Sequence, residues 1–188
     1  MIAPRKTLWS TPLSAVDHCM EWVPLKPEDS VLDIGCGDGR IIHRWAMLLS
    51  ESLLAAEDHE TGATISFVGI DIDPNRIEDA KLKTESLKAD GKISPRIRIT
   101  FICKNAMEST GYIQDATVIF LYLIPRGLKQ IYPLIMEGRS KPTEKRNLRI
   151  ISYMSKLPVL KPEGRALCKV EHQKEAAWPL YFYTIKND

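Results

Sequence analysis

Apolar residues along the chain follow two patterns: short unbroken runs, and longer stretches in which they recur every three or four positions. The run at 30–35 ends in glycine and predicts a buried strand. Residues 38–52 carry Ile41, Ile42, Trp45, Leu48 and Leu49 at helical spacing and predict a helix. Residues 57–64 are polar, include Gly62, and read as a surface loop. A second buried strand at 65–70 runs into Asp71. Pro74 suits the first turn of a helix capped by Asp73, which runs to residue 88 before Asp90-Gly91 stops it. Residues 96–102 alternate polar with apolar as a third strand. A fourth strand is expected at 116–123, a helix at 127–136 and a fifth strand at 148–153. The tail offers two more, at 166–170 and 180–185.

Strands alternating with helices predict an α/β domain: a parallel sheet with helices on both faces. No helix separates the last two strands, so they are expected to pair antiparallel. With 188 residues and neither repeat nor linker, a single domain over 1–188 is expected. Composition is ordinary for a globular chain, with 44% hydrophobic and 27% charged residues, which argues against wholesale disorder. The densest apolar stretch, 118–124, is far short of the ~20 residues of a membrane helix. A net charge of +2 is too small for nucleic-acid binding by bulk electrostatics. Four cysteines and four histidines are scattered, without metal or disulfide spacing, so no metal is expected and a reducing compartment is the simpler reading. Residues 1–16 hold Arg5 and Lys6 but no acid, like a mitochondrial presequence, yet Pro4 and Pro12 interrupt the helix one would need. The cytoplasm is the expected location and the mitochondrion the alternative.

The sharpest local signal is Val31-Leu-Asp33-Ile-Gly35-Cys36-Gly37-Asp-Gly39-Arg40, between a predicted strand and a predicted helix. Glycines there let the chain turn tightly and let a ligand approach the backbone. A dinucleotide loop would read G-x-G-x-x-G, whereas Arg40 stands in the place of its third glycine. Asp33, just ahead of Gly35, would repel a pyrophosphate and attract an ammonium. S-adenosyl-L-methionine carries an ammonium and a sulfonium and no phosphate, so charge favours it over NAD. Asp71, with Ile72 beside it, ends the second strand where a carboxylate can accept hydrogen bonds from ribose hydroxyls. Asp73 is the rival for that role and reads better as a helix cap. After the third strand, in Cys103-Lys-Asn105-Ala106-Met107, Asn105 can read an adenine amino group and Met107 can pack on the ring.

These residues together resemble the class I S-adenosylmethionine-dependent methyltransferases over about 8–185. A finer likeness rests on four features: Thr11-Pro12, the run 22–40, the run 115–125 with Tyr122 and Pro125, and the aromatic strand 180–185. It is to the compact protein-lysine methyltransferases that include the mitochondrial enzymes acting on ATP synthase subunit c and on the adenine nucleotide translocase. The resemblance implies a Rossmann-like, seven-stranded, mostly parallel sheet whose last strand pair is antiparallel. It also implies that residues 1–28, around Thr11, cover the cofactor held by a core over 29–188. The implied cofactor contacts are Thr11, Asp33, Gly35, Cys36, Gly37, Gly39, Asp71, Ile72, Asn105, Ala106 and Tyr122. Asn105 stands where the class often has aspartate. The mitochondrial enzymes carry a membrane-associated segment ahead of this core, so a membrane-embedded substrate is not expected here.

The expected reaction is in-line methyl transfer, most simply to a protein lysine. Acceptors are expected at the end of the fourth strand, where Tyr122 is the catalytic candidate, through its hydroxyl or cation–π contact. An RNA or small-molecule acceptor is the first alternative; a non-catalytic cofactor-binding subunit is the second. The basic stretch 139–149 reads as a solvated loop, or as a docking surface for acidic protein or RNA. Trp9 and Trp178 are candidates to frame the entrance, and His43 and His172 read as packing or surface residues.

Overall fold

A computed structural model describes residues 11–26, 28–55, 65–140, 146–170 and 173–186. Its strands are β1 (Ser30–Ile34), β2 (Ile65–Asp71), β3 (Ile97–Cys103), β4 (Val118–Leu121), β5 (Leu148–Tyr153), β6 (Gly164–Val170) and β7 (Gln173–Ile185). They form one seven-stranded sheet in the order β3-β2-β1-β4-β5-β7-β6. Strands β1 to β5 are parallel, and β7 inserts antiparallel between β5 and β6. Chain order reverses between β1 and β4, and in such sheets ligands bind outside the carboxyl ends of the strands at that point.

The two-residue period of the strands divides the core. Val31, Phe67, Phe101, Val118 and Phe120 point to one face, where α1 (Leu13–Trp22), α2 (Arg40–Ala55) and α3 (Pro74–Ala89) pack. Leu32, Ile34, Ile70, Ile119 and Leu121 point to the other, towards α4 (Thr110–Asp115) and α5 (Pro125–Ser140). Asp33 shares the parity of Val31 and so faces the α1–α3 side. In α3 the Asp73 carboxylate accepts the Asn75 N–H at 3.0 Å, Pro74 opens the first turn, and Ile77, Ala80, Thr84 and Leu87 form the buried stripe.

Every strand that the apolar runs predict is present. The tail strands are longer than expected, because β6 and β7 form a hairpin whose polar residues give no apolar signal. Helix α4 carries one buried residue, Ile113, and is too short to show a period. Helix α1 follows Thr11-Pro12, as the resemblance implies, without a side-chain cap at its start. Residues 57–64, Trp9 and His172 lie outside the described residues.

Candidate cofactor site at the carboxyl edge

The link from β1 to α2 is built from three left-handed glycines: Gly35 (φ +82°), Gly37 (φ +56°) and Gly39 (φ +74°). Other residues adopt that region rarely and with strain, which explains the alternating glycines. The amides of Gly35 and Cys36 both donate to the Ile70 carbonyl, at 2.8 and 3.1 Å, tying the loop to the end of β2. The Gly37 N–H donates to the Asp71 carboxylate at 2.9 Å, and the Asp73 N–H donates to its other oxygen at 2.9 Å. Asp71 therefore fastens the loop to the start of α3, while each of its oxygens keeps a lone pair for a further donor.

Phe101 explains two glycines at once. A Cβ on Gly39 would stand 2.5 Å from the Phe101 ring, and so would a Cβ on Gly69 of β2. The ring fills the space between β2, β3 and the loop, with His43 edge-on at 5.5 Å. Burial lowers the His43 pKa, and its ring contacts the Thr84 hydroxyl at 2.9 Å, so it is the packing residue that the sequence suggests.

Asp33 behaves differently from every other acid described. It is 2% exposed, and its Oδ2 has no hydrogen-bond partner. Burial, then the charges of Asp71 and Asp38, push its carboxyl up to about 8. It borders a cavity of about 260 Å³ that is also lined by Thr11, Gly35, Gly37, Arg76 and Tyr122. A buried acceptor lacking a donor beside a glycine cradle fits a ligand that brings a cation.

Tyr122 follows β4 and packs edge-on to Tyr153, with ring centroids 5.0 Å apart. Burial raises both phenols, so their hydroxyls stay protonated at neutral pH. Met154, the next residue, sits at φ +67° and the Ser155 N–H donates back to the Tyr153 carbonyl at 2.9 Å. That is a tight turn in a conformation costly for a bulky side chain, located at the end of β5, whose Tyr153 packs on the cavity-lining Tyr122.

Six of the expected residues meet in the cavity: Thr11, Asp33, Gly35, Cys36, Gly37 and Tyr122. The Cys36 thiol is buried and pushed up by that burial, consistent with a small loop side chain and not a nucleophile. Asp71, Ile72, Asn105 and Ala106 lie outside the cavity lining, on the neighbouring strand ends of the same edge. Ile72 is exposed there, and Asn105 Oδ1 already accepts the Met107 N–H at 3.0 Å. Gly39 sits behind the loop against Phe101. Sequence reasoning missed Phe101, Arg76 and Tyr153; Gly69, a glycine inside a strand, was the available signal for a close neighbour such as Phe101. Trp178 is half-buried against the α1–α3 side of the core, so it is packing. In the basic stretch, Arg146 pairs with Glu28 at 3.4 Å and Arg149 with Asp29 at 2.6 Å, while residues 141–145 lie outside the described ones.

Residues 25–109 match a family model described as a methyltransferase domain. The ribosomal protein L11 methyltransferase of Janthinobacterium sp. (strain Marseille) is 30% identical over 126 residues, which are 66% of this chain and 33% of that protein. The chain thus spans about a third of that relative's length. The protein-lysine N-methyltransferase of Saccharolobus islandicus (strain REY15A) is 28% identical over 143 residues, 76% of this chain and 73% of that protein. An RNA methyltransferase from Salinibacter ruber, solved in complex with S-adenosyl-L-homocysteine, superposes with a TM-score of 0.67 at 23% identity, covering 96% of this chain and 95% of the other. The architecture is the Rossmann-like fold of the class I methyltransferases. Among the described residues, no helix is long and apolar enough to cross a membrane.

Proposed function

We propose that this protein is an S-adenosyl-L-methionine-dependent methyltransferase whose acceptor is a protein lysine. The observation that carries the cofactor is Asp33: buried, without a donor for Oδ2, and opening on a glycine-lined cavity. When bound, the cofactor supplies a methyl group already activated by its sulfonium. Asp33 holds the ammonium end, and the left-handed glycines let the ligand lie against backbone. Asp71 takes the ribose hydroxyls with its remaining lone pairs, and Ile72, Asn105 and Ala106 form the adenine shelf. Thr11, at the head of α1, covers the cavity.

The acceptor enters beside Tyr122, whose hydroxyl steers the incoming amine. Alignment of this kind is worth about 7–11 kcal/mol, so a dedicated base is not required. A lysine still has to lose its proton, and the apolar surroundings of Tyr122 and Tyr153 favour the neutral amine. Protein as acceptor is supported by the names of the two curated relatives, and lysine by that of the Saccharolobus protein, which matches this chain over most of both lengths.

The test is a calorimetric titration with S-adenosyl-L-homocysteine, with NAD as control, followed by methyl labelling of cell extract with and without ribonuclease. Micromolar binding of the former alone, with ribonuclease-resistant label on lysine, is expected. Binding of neither ligand contradicts the cofactor assignment; label lost with ribonuclease moves the acceptor to RNA.

A further inference from the structure

Among the described residues, Arg76 is the cation of the cavity without a hydrogen-bond or ion-pair partner; the other lining charges are Asp33, the Asp38–Arg40 pair and Asp79, three residues further along the same helix. Arg76 stands in the first turn of α3, is half-buried, and lines the same cavity as Asp33. Its Nη1 lies 3.2 Å from the point where a Cβ on Gly37 would stand, so the guanidinium hangs over the middle glycine of the loop. The neighbouring arginines are committed. Arg40 grips Asp38 with two hydrogen bonds, at 3.0 and 2.6 Å, and Arg44 grips Asp17 at 2.7 and 3.0 Å. Among the described residues, Arg76 makes no hydrogen bond or ion pair, and it acts on Asp38 only through space.

A buried carboxylate without a donor and a guanidinium without an acceptor, facing one cavity, are the complement of a zwitterion. The ligand's ammonium goes to Asp33 and its carboxylate to the guanidinium fork, which is shaped for two parallel hydrogen bonds. We infer that Arg76 is the carboxylate-recognising residue of this site, so that the protein selects ligands by an intact α-amino acid end. Gly37 then has a second purpose, because a side chain there would fill the gap between guanidinium and loop. The inference rests on the methyltransferase reading above and adds to it a specificity determinant on α3.

The experiment titrates wild type, Arg76→Met and Arg76→Lys with two probes: S-adenosyl-L-homocysteine, and 5′-methylthioadenosine, which keeps the adenosine and thioether but has no amino acid. Wild type is expected to prefer the former strongly. Arg76→Met should weaken it about tenfold or more while changing methylthioadenosine affinity less than about twofold. Arg76→Lys, still cationic, should recover part of the loss. Equal weakening of both probes in Arg76→Met, or unchanged homocysteine-ligand affinity, overturns the inference and leaves the methyltransferase reading intact. If wild type binds neither probe, both fall together.

Discussion

Two aspartates mark the two ends of β1, Asp29 just before it and Asp33 near its carboxyl end; both are almost wholly buried, and their surroundings could hardly differ more. Asp29, at the amino edge, receives Arg149 on both oxygens at 2.6 and 2.7 Å and the Thr117 hydroxyl at 2.6 Å. Arg149 spends another donor on the Pro24 carbonyl at 2.8 Å, binding the approach to β1 to β5. Asp33, at the carboxyl edge, has an oxygen with no partner at all. A buried charge costs several kcal/mol unless it is paired. The amino edge meets that cost within the chain; the carboxyl edge leaves it to be met by a ligand. Left-handed glycines and the strained Met154 lie at that same carboxyl edge. Substitutions at the two ends should therefore separate stability from binding.

The largest effect is expected at the paired end. Arg149→Met strands Asp29 and should cost about 3–5 kcal/mol in urea unfolding, with ligand affinity of the folded fraction unchanged. Loss of affinity without loss of stability would reverse the roles of the two edges. Gly39→Ala comes next: a Cβ pressed on Phe101 in a left-handed residue should cost about 2–4 kcal/mol and weaken S-adenosyl-L-homocysteine, and Phe101→Leu in the same chain should recover part of both.

Asp33→Asn should act with opposite signs on the two properties. Its carboxyl titrates near 8 in the folded chain against 3.8 as the reference value, so the protonated form is favoured by folding. The stability this gives is fully present below about pH 4 and is lost as pH rises through 8. Without ligand, the melting temperature of wild type should fall between pH 5 and 9 relative to Asp33→Asn, while the variant binds S-adenosyl-L-homocysteine at least about tenfold more weakly. Parallel pH curves for the two proteins would show that Asp33 does not titrate there. The smallest structural effect belongs to Tyr122→Phe: stability within about 0.5 kcal/mol and ligand affinity almost unchanged, but slower methyl transfer to the labelled acceptor. Full activity would make Tyr122 a packing residue beside Tyr153.

The sequence carried the α/β plan because the central strands are buried on both faces and read as unbroken apolar runs. It carried the glycine loop and Asp33 because both are contiguous in the chain. What it did not carry comes from side chains brought together across elements. Phe101 reads as one apolar position in an alternating strand, and only the sheet register sets it against Gly69 and Gly39. Arg76 lies within a charged helical turn that gives no hint of which arginine lacks a partner. Arg149 looked like part of a basic loop, yet the pairing of β4 with β5 draws it inward to Asp29. Asp71 was expected to meet ribose, and its anchoring of the Gly37 and Asp73 amides is visible only in three dimensions.

The central claim is that Asp33 is kept unpaired to receive a ligand's ammonium. Its most direct test is the proton count of binding. Titrating wild type and Asp33→Asn with S-adenosyl-L-homocysteine at pH 7, in two buffers of different ionisation enthalpy, gives that count. A carboxyl titrating near 8 is mostly protonated at pH 7, and an arriving ammonium expels the proton. Wild type should release close to one proton per ligand and Asp33→Asn none. Binding by wild type with no proton released would contradict the account.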